Sequence, residues 1–412
     1  MRILFLTDNF PPEVNAPASR THEHCREWVA LGHEVTVITC APNFPTGRVF
    51  PGYRNRLKQV ETVDGIRVVR VWTYIAANSG FGRRVFDYLS FMFSASFAGL
   101  FGPRPDVVVG TSPQFFTACA AWFVGAVRRI PFVFELRDLW PESIKAVGAM
   151  GDSFAVRMLE KIELFLYRRS ARVVSVTHSF RRNLAARGID PGKIAVVTNG
   201  VDMKRFQPQQ KDPALLASLG LTGKFVAGYI GTHGLAHGLE TLLDAAAKLR
   251  DLPDGDDFRI VLLGDGAQKS ALKARAQSAG LDNVVFIDSV AKDEVARYWA
   301  LLDASIIHLR KTELFSTVIP SKLFECMGMG IPVLHGVAGE SAEIVEREAV
   351  GIPFESDNAA DLVEKLLRLA RNAGLRTTLR ENCREAATRY DRVAQAHLML
   401  ATLSEAAGRR RS

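Results

Sequence analysis

The sequence predicts an α/β protein built from two doubly wound, Rossmann-like domains. Three observations carry this. Apolar, β-branched runs alternate with helical patterns, a polar stretch interrupts them after residue 201, and the same alternation then starts again. The 412 residues are 48% hydrophobic and 23% charged, a composition that supports packed cores and excludes disorder. Single cores rarely grow beyond about 250–300 residues, so two are expected.

In the first half, residues 3–6, 34–38, 68–71, 107–109, 132–135, 173–176 and 194–197 read as strands. They are apolar on both faces, as parallel strands covered on both sides must be. Helical patterns at 19–31, 84–101, 114–127, 153–170 and 180–186 separate them. The charge-free run 107–127 is long enough for a membrane span. Its opening valines are β-branched, however, and Thr111, Ser112 and Pro113 mark a turn, so it divides into a strand and a buried helix. Residues 202–214, with Pro208 and Pro213, read as a linker.

Strands then follow at 225–230, 259–263, 284–287, 304–307 and 332–334, with helices at 239–249, 267–279, 292–302 and 321–329. Segments 357–373, 376–390 and 391–407 close the chain as helices. The expected domains are 1–203 and 204–390, with 391–412 packing back toward the first. Open α/β sheets take ligands beyond the carboxyl ends of their strands. If the two domains face each other, those two crevices merge into one interdomain cleft.

Charge is unevenly placed. The net charge is +8; the first 200 residues hold 25 Lys and Arg against 16 Asp and Glu, the remainder 27 against 28. A basic half points to an anionic partner such as a membrane surface, a phosphorylated lipid or nucleic acid, or else to a solvated face. Cys25, Cys40, Cys119, Cys326 and Cys383 form no CxxC pair, which argues against zinc or redox chemistry and for small core residues in a reducing compartment. The first apolar run is too short for a signal peptide. No Walker A, HExxH or nucleophile elbow is present, and Asp254 and Asp256 lie in a loop as solvated groups rather than a metal site.

Four motifs carry chemistry. The stretch 229–240 runs from a strand end into a helix and contains Gly231, Thr232, His233, Gly234, His237 and Gly238. Glycines there let backbone amides approach an anion at a helix N-terminus, with the histidines as further donors. In 318–334, Pro320 and Ser321 start a helix that Gly330 and Pro332 stop. Lys322 and Glu325 share one face of it: the carboxylate can accept both ribose hydroxyls and the amine can neutralise phosphate. As a mere surface pair they would contribute a few tenths of a kcal/mol. After the strand at 132–135, Arg137 is placed to stabilise a departing phosphate and Asp138 to orient an acceptor hydroxyl, or the two brace the loop as an ion pair. The loops 8–20 and 41–47 form a candidate acceptor wall with Asn15, Arg20 and Asn43. The segment 83–101 begins with Arg83 and Arg84 and turns aromatic, as either an interfacial membrane helix or a core helix.

Together these residues resemble the family 4 retaining glycosyltransferases of the GT-B fold, nearest to bacterial enzymes of O-antigen, capsule and colanic-acid synthesis of the L-fucosamine transferase type. The resemblance spans essentially the whole chain. It rests on Phe10, Pro11, Pro12 and Glu13 with Asn15 and Arg20, on Gly32, His33, Glu34, Val35 and Thr36, and on Pro42, Asn43, Phe44 and Pro45. It continues through 137–143, Asn199, Gly200, Val201 and Asp202, the loop 231–238, and 320–325. It implies a UDP-sugar held mainly by the C-terminal domain, with Glu325 on the ribose, the Gly231 loop on the diphosphate and the backbone near Val290 on the base. Thr317 stands where the family often has the first Glu of Glu-x7-Glu, and Thr232 and His237 stand where many members carry Arg and Lys. Arg137, Arg310, Lys311 and Lys322 are the candidates to supply that charge.

The resemblance further implies a hexosyl- or N-acetylhexosaminyl-transferase acting with anomeric retention, by front-face attack in which the leaving phosphate takes the acceptor proton. No protein nucleophile, metal or cofactor beyond the co-substrate is expected. The expected acceptor is a polyprenyl-diphosphate-linked saccharide. The expected location is cytoplasmic, peripheral on the anionic inner face of the cell membrane, with no nucleic-acid partner. A nucleotide-sugar 2-epimerase of the same fold and a non-catalytic sugar-nucleotide-binding protein are the alternatives.

Overall fold

A computed structural model of the chain describes residues 1–44, 46–75, 81–112, 114–139, 154–291 and 293–408. The chain divides into two compact units. One is Met1–Thr198 together with Arg392–Ser412, and the other is Asn199–Asp391.

The first unit holds an eight-stranded sheet: β1 (Arg2–Leu6), β2 (Glu34–Cys40), β3 (Lys58–Val63), β4 (Ile66–Val71), β5 (Val107–Thr111), β6 (Phe132–Leu136), β7 (Arg172–Ser175) and β8 (Ile194–Val196). Its order is β3-β4-β2-β1-β5-β6-β7-β8, and every pairing is parallel except β3 with β4. Sequence reading missed β3. An edge strand with one face in water is polar and lacks the apolar run that marks a central strand. The signal was in the turn: Asp64 and Gly65 both have positive φ, as a two-residue hairpin requires.

The terminal helix Arg392–Gly408 belongs to this unit and lies along the helix Ala16–Ala30. The Trp28 indole Nε1 donates to the Ala396 carbonyl at 2.8 Å, Arg392 pairs with Glu23, and Arg172 with Glu405. Met399, Leu403 and Ala406 join Ile3, Phe5, Val107, Val133 and Val174 in one core. The last helix of the chain thus covers a face of the first sheet. The helix Phe81–Leu100 buries Phe91 and Ala95 and turns Phe93 and Phe97 outward.

The second unit holds a fully parallel six-stranded sheet: β9 (Phe225–Ile230), β10 (Phe258–Leu263), β11 (Val284–Ile287), β12 (Ala304–His308), β13 (Val333–Gly336) and β14 (Gly351–Pro353), ordered β11-β10-β9-β12-β13-β14. The strand β14 and the helix Glu340–Arg347 before it escaped the sequence reading: three residues are too few for a pattern, and the helix is mostly polar. The stretch read as linker contains a short helix, Pro213–Ser218, whose first turn is capped by the Asp212 carboxylate accepting from Leu215 N at 3.0 Å. The expected helix at 292–302 contracts to Val295–Trp299 among the described residues.

One buried ion pair ties the first unit together. The Arg20 guanidinium donates to Glu135 Oε1 at 3.0 Å and to the carbonyls of Thr198 (2.7 Å) and Val197 (3.0 Å). Both side chains are almost fully buried. Arg20→Ala leaves the Glu135 carboxylate enclosed without its ion-pair hydrogen bond, with Thr111 and the nearby Arg137 as its remaining support, a loss of up to about 3–5 kcal/mol. Chemical denaturation of the full chain should show that loss, and an unchanged midpoint would contradict the assignment.

Candidate functional site

The glycine-rich loop after β9 is held by a second loop, after β10. His233 N donates to the Asp265 carbonyl at 2.8 Å, and Gln268 N donates to the His233 carbonyl at 2.9 Å. Gly264 and Gly266 have φ of +142° and +154°. A Cβ on Gly264 would sit 1.9 Å from the Gly231 oxygen, and one on Gly266 would sit 2.5 Å from the His233 oxygen. Neither glycine had been singled out from sequence, yet their lack of side chains lets the two loops meet.

Lys322 opens the helix Lys322–Met329 after β12. Its Nζ lies 3.5 Å from the centre of the Tyr229 ring and has no hydrogen-bond partner. Burial pushes the amine down to about 7, against the pull of Glu325 one turn along the helix. A Cβ on Gly231, whose φ is +147°, would come within 2.8 Å of that nitrogen. Gly231 therefore leaves room for the lysine. Tyr229 is fixed in turn by its hydroxyl, which donates to the Thr232 carbonyl at 2.8 Å. Thr232 is exposed and Glu325 half-buried.

Burial acts on both histidines of the loop. His233 is fully buried, with neither ring nitrogen hydrogen-bonded, and burial holds it down at about 4. Its ring is enclosed, with no hydrogen-bond partner among the described residues. Burial likewise pulls half-buried His237 to about 3. The amides of Gly231 and His233 are engaged by the Leu263 and Asp265 carbonyls, whereas those of Thr232 and Gly234 have no partner among the described residues.

The structure also separates the candidate cations. Arg310 Nε donates to the Leu235 carbonyl at 2.8 Å and its Nη2 to Glu240 at 3.2 Å, so it braces the loop from behind. His308 donates from Nδ1 to the His237 carbonyl (2.7 Å), because its Nε2 accepts from Asp357 N (2.9 Å). Lys311 pairs with Glu355 at 2.8 Å in solvent. Of Arg310, Lys311 and Lys322, Lys322 alone lacks a partner among the described residues. Thr317 donates its hydroxyl to the Leu314 carbonyl at 2.7 Å. Val290, half-buried, lies beyond the end of β11, at the same carboxyl edge of the sheet as the loop.

In the first unit, the Ser112 hydroxyl just past β5 accepts from the amides of Arg137 (2.7 Å) and Asp138 (3.1 Å) and so shapes the turn after β6. Arg137 keeps Nε and Nη1 buried without a partner among the described residues. Burial pushes its guanidinium down to about 10, which leaves it cationic at neutral pH, and Glu135 and Asp8 oppose the shift. Asp8 is half-buried at the end of β1, and burial raises its carboxyl.

The expected acceptor contacts are engaged within the fold. Arg20 holds Glu135, as described. Asn15 caps the helix Ala16–Ala30, accepting from Ala18 N at 2.9 Å, and donates to Asn9 Oδ1 at 2.5 Å. The Asn43 side chain donates to the Ala41 carbonyl at 3.0 Å. Glu13 organises this wall, because its Oε1 accepts from the amides of both Asn43 and Phe44 at 2.8 Å and thereby joins the loops after β1 and β2. These contacts place Asn15, Arg20 and Asn43 as supports of the loops. The run 140–143 lies outside the described residues.

Comparison with known proteins agrees with this architecture. Residues 15–200 match the family described as Glycosyl transferase 4-like domain, and residues 224–372 match Glycosyl transferases group 1. A protein named for colanic acid biosynthesis glycosyl transfer, WcaI of Escherichia coli K12, is 26% identical over 80% of this chain and 82% of its own. The GDP-mannose-dependent alpha-mannosyltransferase of Mycobacterium tuberculosis is 25% identical over 85% and 83%. The structure of Anabaena HepE in complex with UDP-glucose superposes with a TM-score of 0.72 at 18% identity, covering 98% of this chain and all of that one. The chain belongs to the glycosyltransferases that join a 4-like domain to a group 1 domain, and its fold is GT-B.

Proposed function

We propose that the protein transfers a sugar with retention from a UDP-sugar to a polyprenyl-diphosphate-linked saccharide in cell-surface polysaccharide synthesis. The observation that carries this reading is the partnerless Lys322 amine beside Gly231, with Glu325 one turn further along the same helix. A diphosphate set against Lys322 and the free amides of Thr232 and Gly234 would place its ribose within reach of the Glu325 carboxylate. Sugar transfer needs stabilisation of the diphosphate charge that develops as the glycosidic bond breaks. Lys322 and those amides supply it without a metal. Arg137, cationic and only partly partnered, is the candidate to add charge from the first unit, and Asp138 to orient the acceptor hydroxyl. The leaving phosphate takes the acceptor proton in a front-face attack, so no protein nucleophile is called for.

UDP is favoured by the solved neighbour that holds UDP-glucose, and the polysaccharide role by the relative named for colanic acid. A second relative is named for GDP-mannose, so both nucleotides belong in the assay. Mass spectrometry of the chain with UDP- or GDP-sugars and a polyprenyl-diphosphate saccharide should show the glycosylated lipid, with activity retained in EDTA. Lys322→Met should lower kcat by about 10²–10³-fold. Glu325→Ala should raise the donor KM by roughly tenfold or more, from the loss of hydrogen bonds to a charged group. An unchanged kcat in Lys322→Met or an unchanged donor KM in Glu325→Ala would contradict the donor site.

The surface of the first unit supports a membrane partner. Phe93, Phe97, Phe101 and Phe123 are 42–68% exposed, and Arg128 donates to the carbonyls of Gly99 and Gly102, which flank Phe101. Met92, Cys119, Trp122, Phe165 and Leu166 line an apolar cavity of about 320 Å³ beside them. Among the described residues no helix is long and apolar enough to cross a membrane. Contiguous exposed aromatics next to cations suit an interface with anionic lipid. The chain should cosediment with anionic vesicles, dissociate at high salt, and lose binding on Phe93→Ser with Phe97→Ser. Equal retention on neutral vesicles would contradict the electrostatic part.

A further inference from the structure

We propose that Lys322 takes up a proton from solvent when a nucleoside diphosphate binds, so that the ligand brings the counter-charge that keeps this amine ionised. The inference rests on the donor-site reading above. Its basis is geometric. The amine is enclosed, has no hydrogen-bond partner, and rests on the face of Tyr229 at 3.5 Å. A ring face attracts a cation far more weakly than a carboxylate or phosphate does.

The groups around it offer little else. From β9 comes Tyr229, whose hydroxyl is engaged by the Thr232 carbonyl. From the glycine-rich loop come His233 and His237, both kept neutral by burial. Behind the loop stand His308 and Arg310, against Gly238, and beside His233 stand Lys269 and Asp265. Lys269 is paired with Asp288 at 2.6 Å. From its own helix come the Cys326 thiol, which burial pushes up to about 12, and Glu325. Glu325, one turn along the helix, favours the charged form but does not offset the burial, which brings the amine to about 7.

The empty site is therefore divided between the ammonium and the free amine near neutral pH. A diphosphate beside Nζ favours the charged form and raises its pKa. Binding then adds one N–H bond to the nitrogen lone pair, and the buffer gives up the proton. The sign follows from linkage. Affinity is full below the pKa of the empty site and falls by up to tenfold per pH unit above it, until the pKa of the loaded site is reached.

Isothermal titration of UDP, GDP and ADP into the full chain at pH 8, in phosphate and in Tris, reads the proton directly, because the nucleotide phosphates are already ionised there. The slope of heat against buffer ionisation enthalpy should give close to one proton taken up per nucleotide. Dissociation constants for the wild type should rise steeply between pH 7.5 and 8.5. Lys322→Arg, permanently charged, should bind without uptake. Binding with buffer-independent heats and a flat pH profile would overturn the proposal while leaving the donor site standing. Uptake that persists in Lys322→Arg would also overturn it, since the proton would then go elsewhere. Should that variant fold poorly, the wild-type pH profile decides alone. Absence of binding for all three nucleotides would overturn the donor site itself and the proposal with it.

Discussion

A buried amine that faces a tyrosine ring and has no hydrogen-bond partner among the described residues is the feature on which the candidate site of the second unit depends. A cation in that position is costly unless something anionic arrives. The surrounding sequence makes the position possible. Gly231 keeps clear of the amine, while Gly264 and Gly266 let the next loop press close enough to fix the first. Arg310 and His308 hold the loop from behind through its carbonyls. The loop is thus set before a ligand comes, which reduces the ordering that binding would otherwise require.

The first unit applies a similar economy. Glu135, Glu13 and Ser112 each accept from groups on other segments and fix the loops beyond β1, β2 and β6. What stays partly unengaged is Arg137, whose Nε and Nη1 are buried without partners. Among the described residues, Arg137 and Lys322 are under-partnered cations beyond strand ends of their own sheets, where open α/β sheets take their ligands.

Much of the architecture was legible because parallel strands are apolar throughout and helices intervene regularly. The losses share a cause: β3 is a polar edge strand, β14 has three residues, and Glu340–Arg347 is mostly polar, so burial leaves little imprint on their sequences. For the candidate site, Lys322 and Gly231 were singled out from their placement at a helix start and a strand end, and the structure brings them together. Arg20, Asn15 and Asn43 were seen as polar residues in the right loops, but sequence does not say whether a polar side chain points to solvent or into the fold. The partnering of Arg310 and Lys311 was hidden for the same reason. Gly264, Gly266, Glu13 and Ser112 act on segments remote in sequence, and such contacts appear only once the chain is folded.

The central claim is that the anion of the donor is received in the second unit at Lys322. A crystal structure of the chain with bound UDP tests it most directly. The account predicts a phosphate oxygen within hydrogen-bonding distance of Lys322 Nζ, displacing its contact with Tyr229, and ribose hydroxyls on Glu325. A nucleotide bound instead in the first unit, or one that leaves the amine on the tyrosine ring, would contradict it.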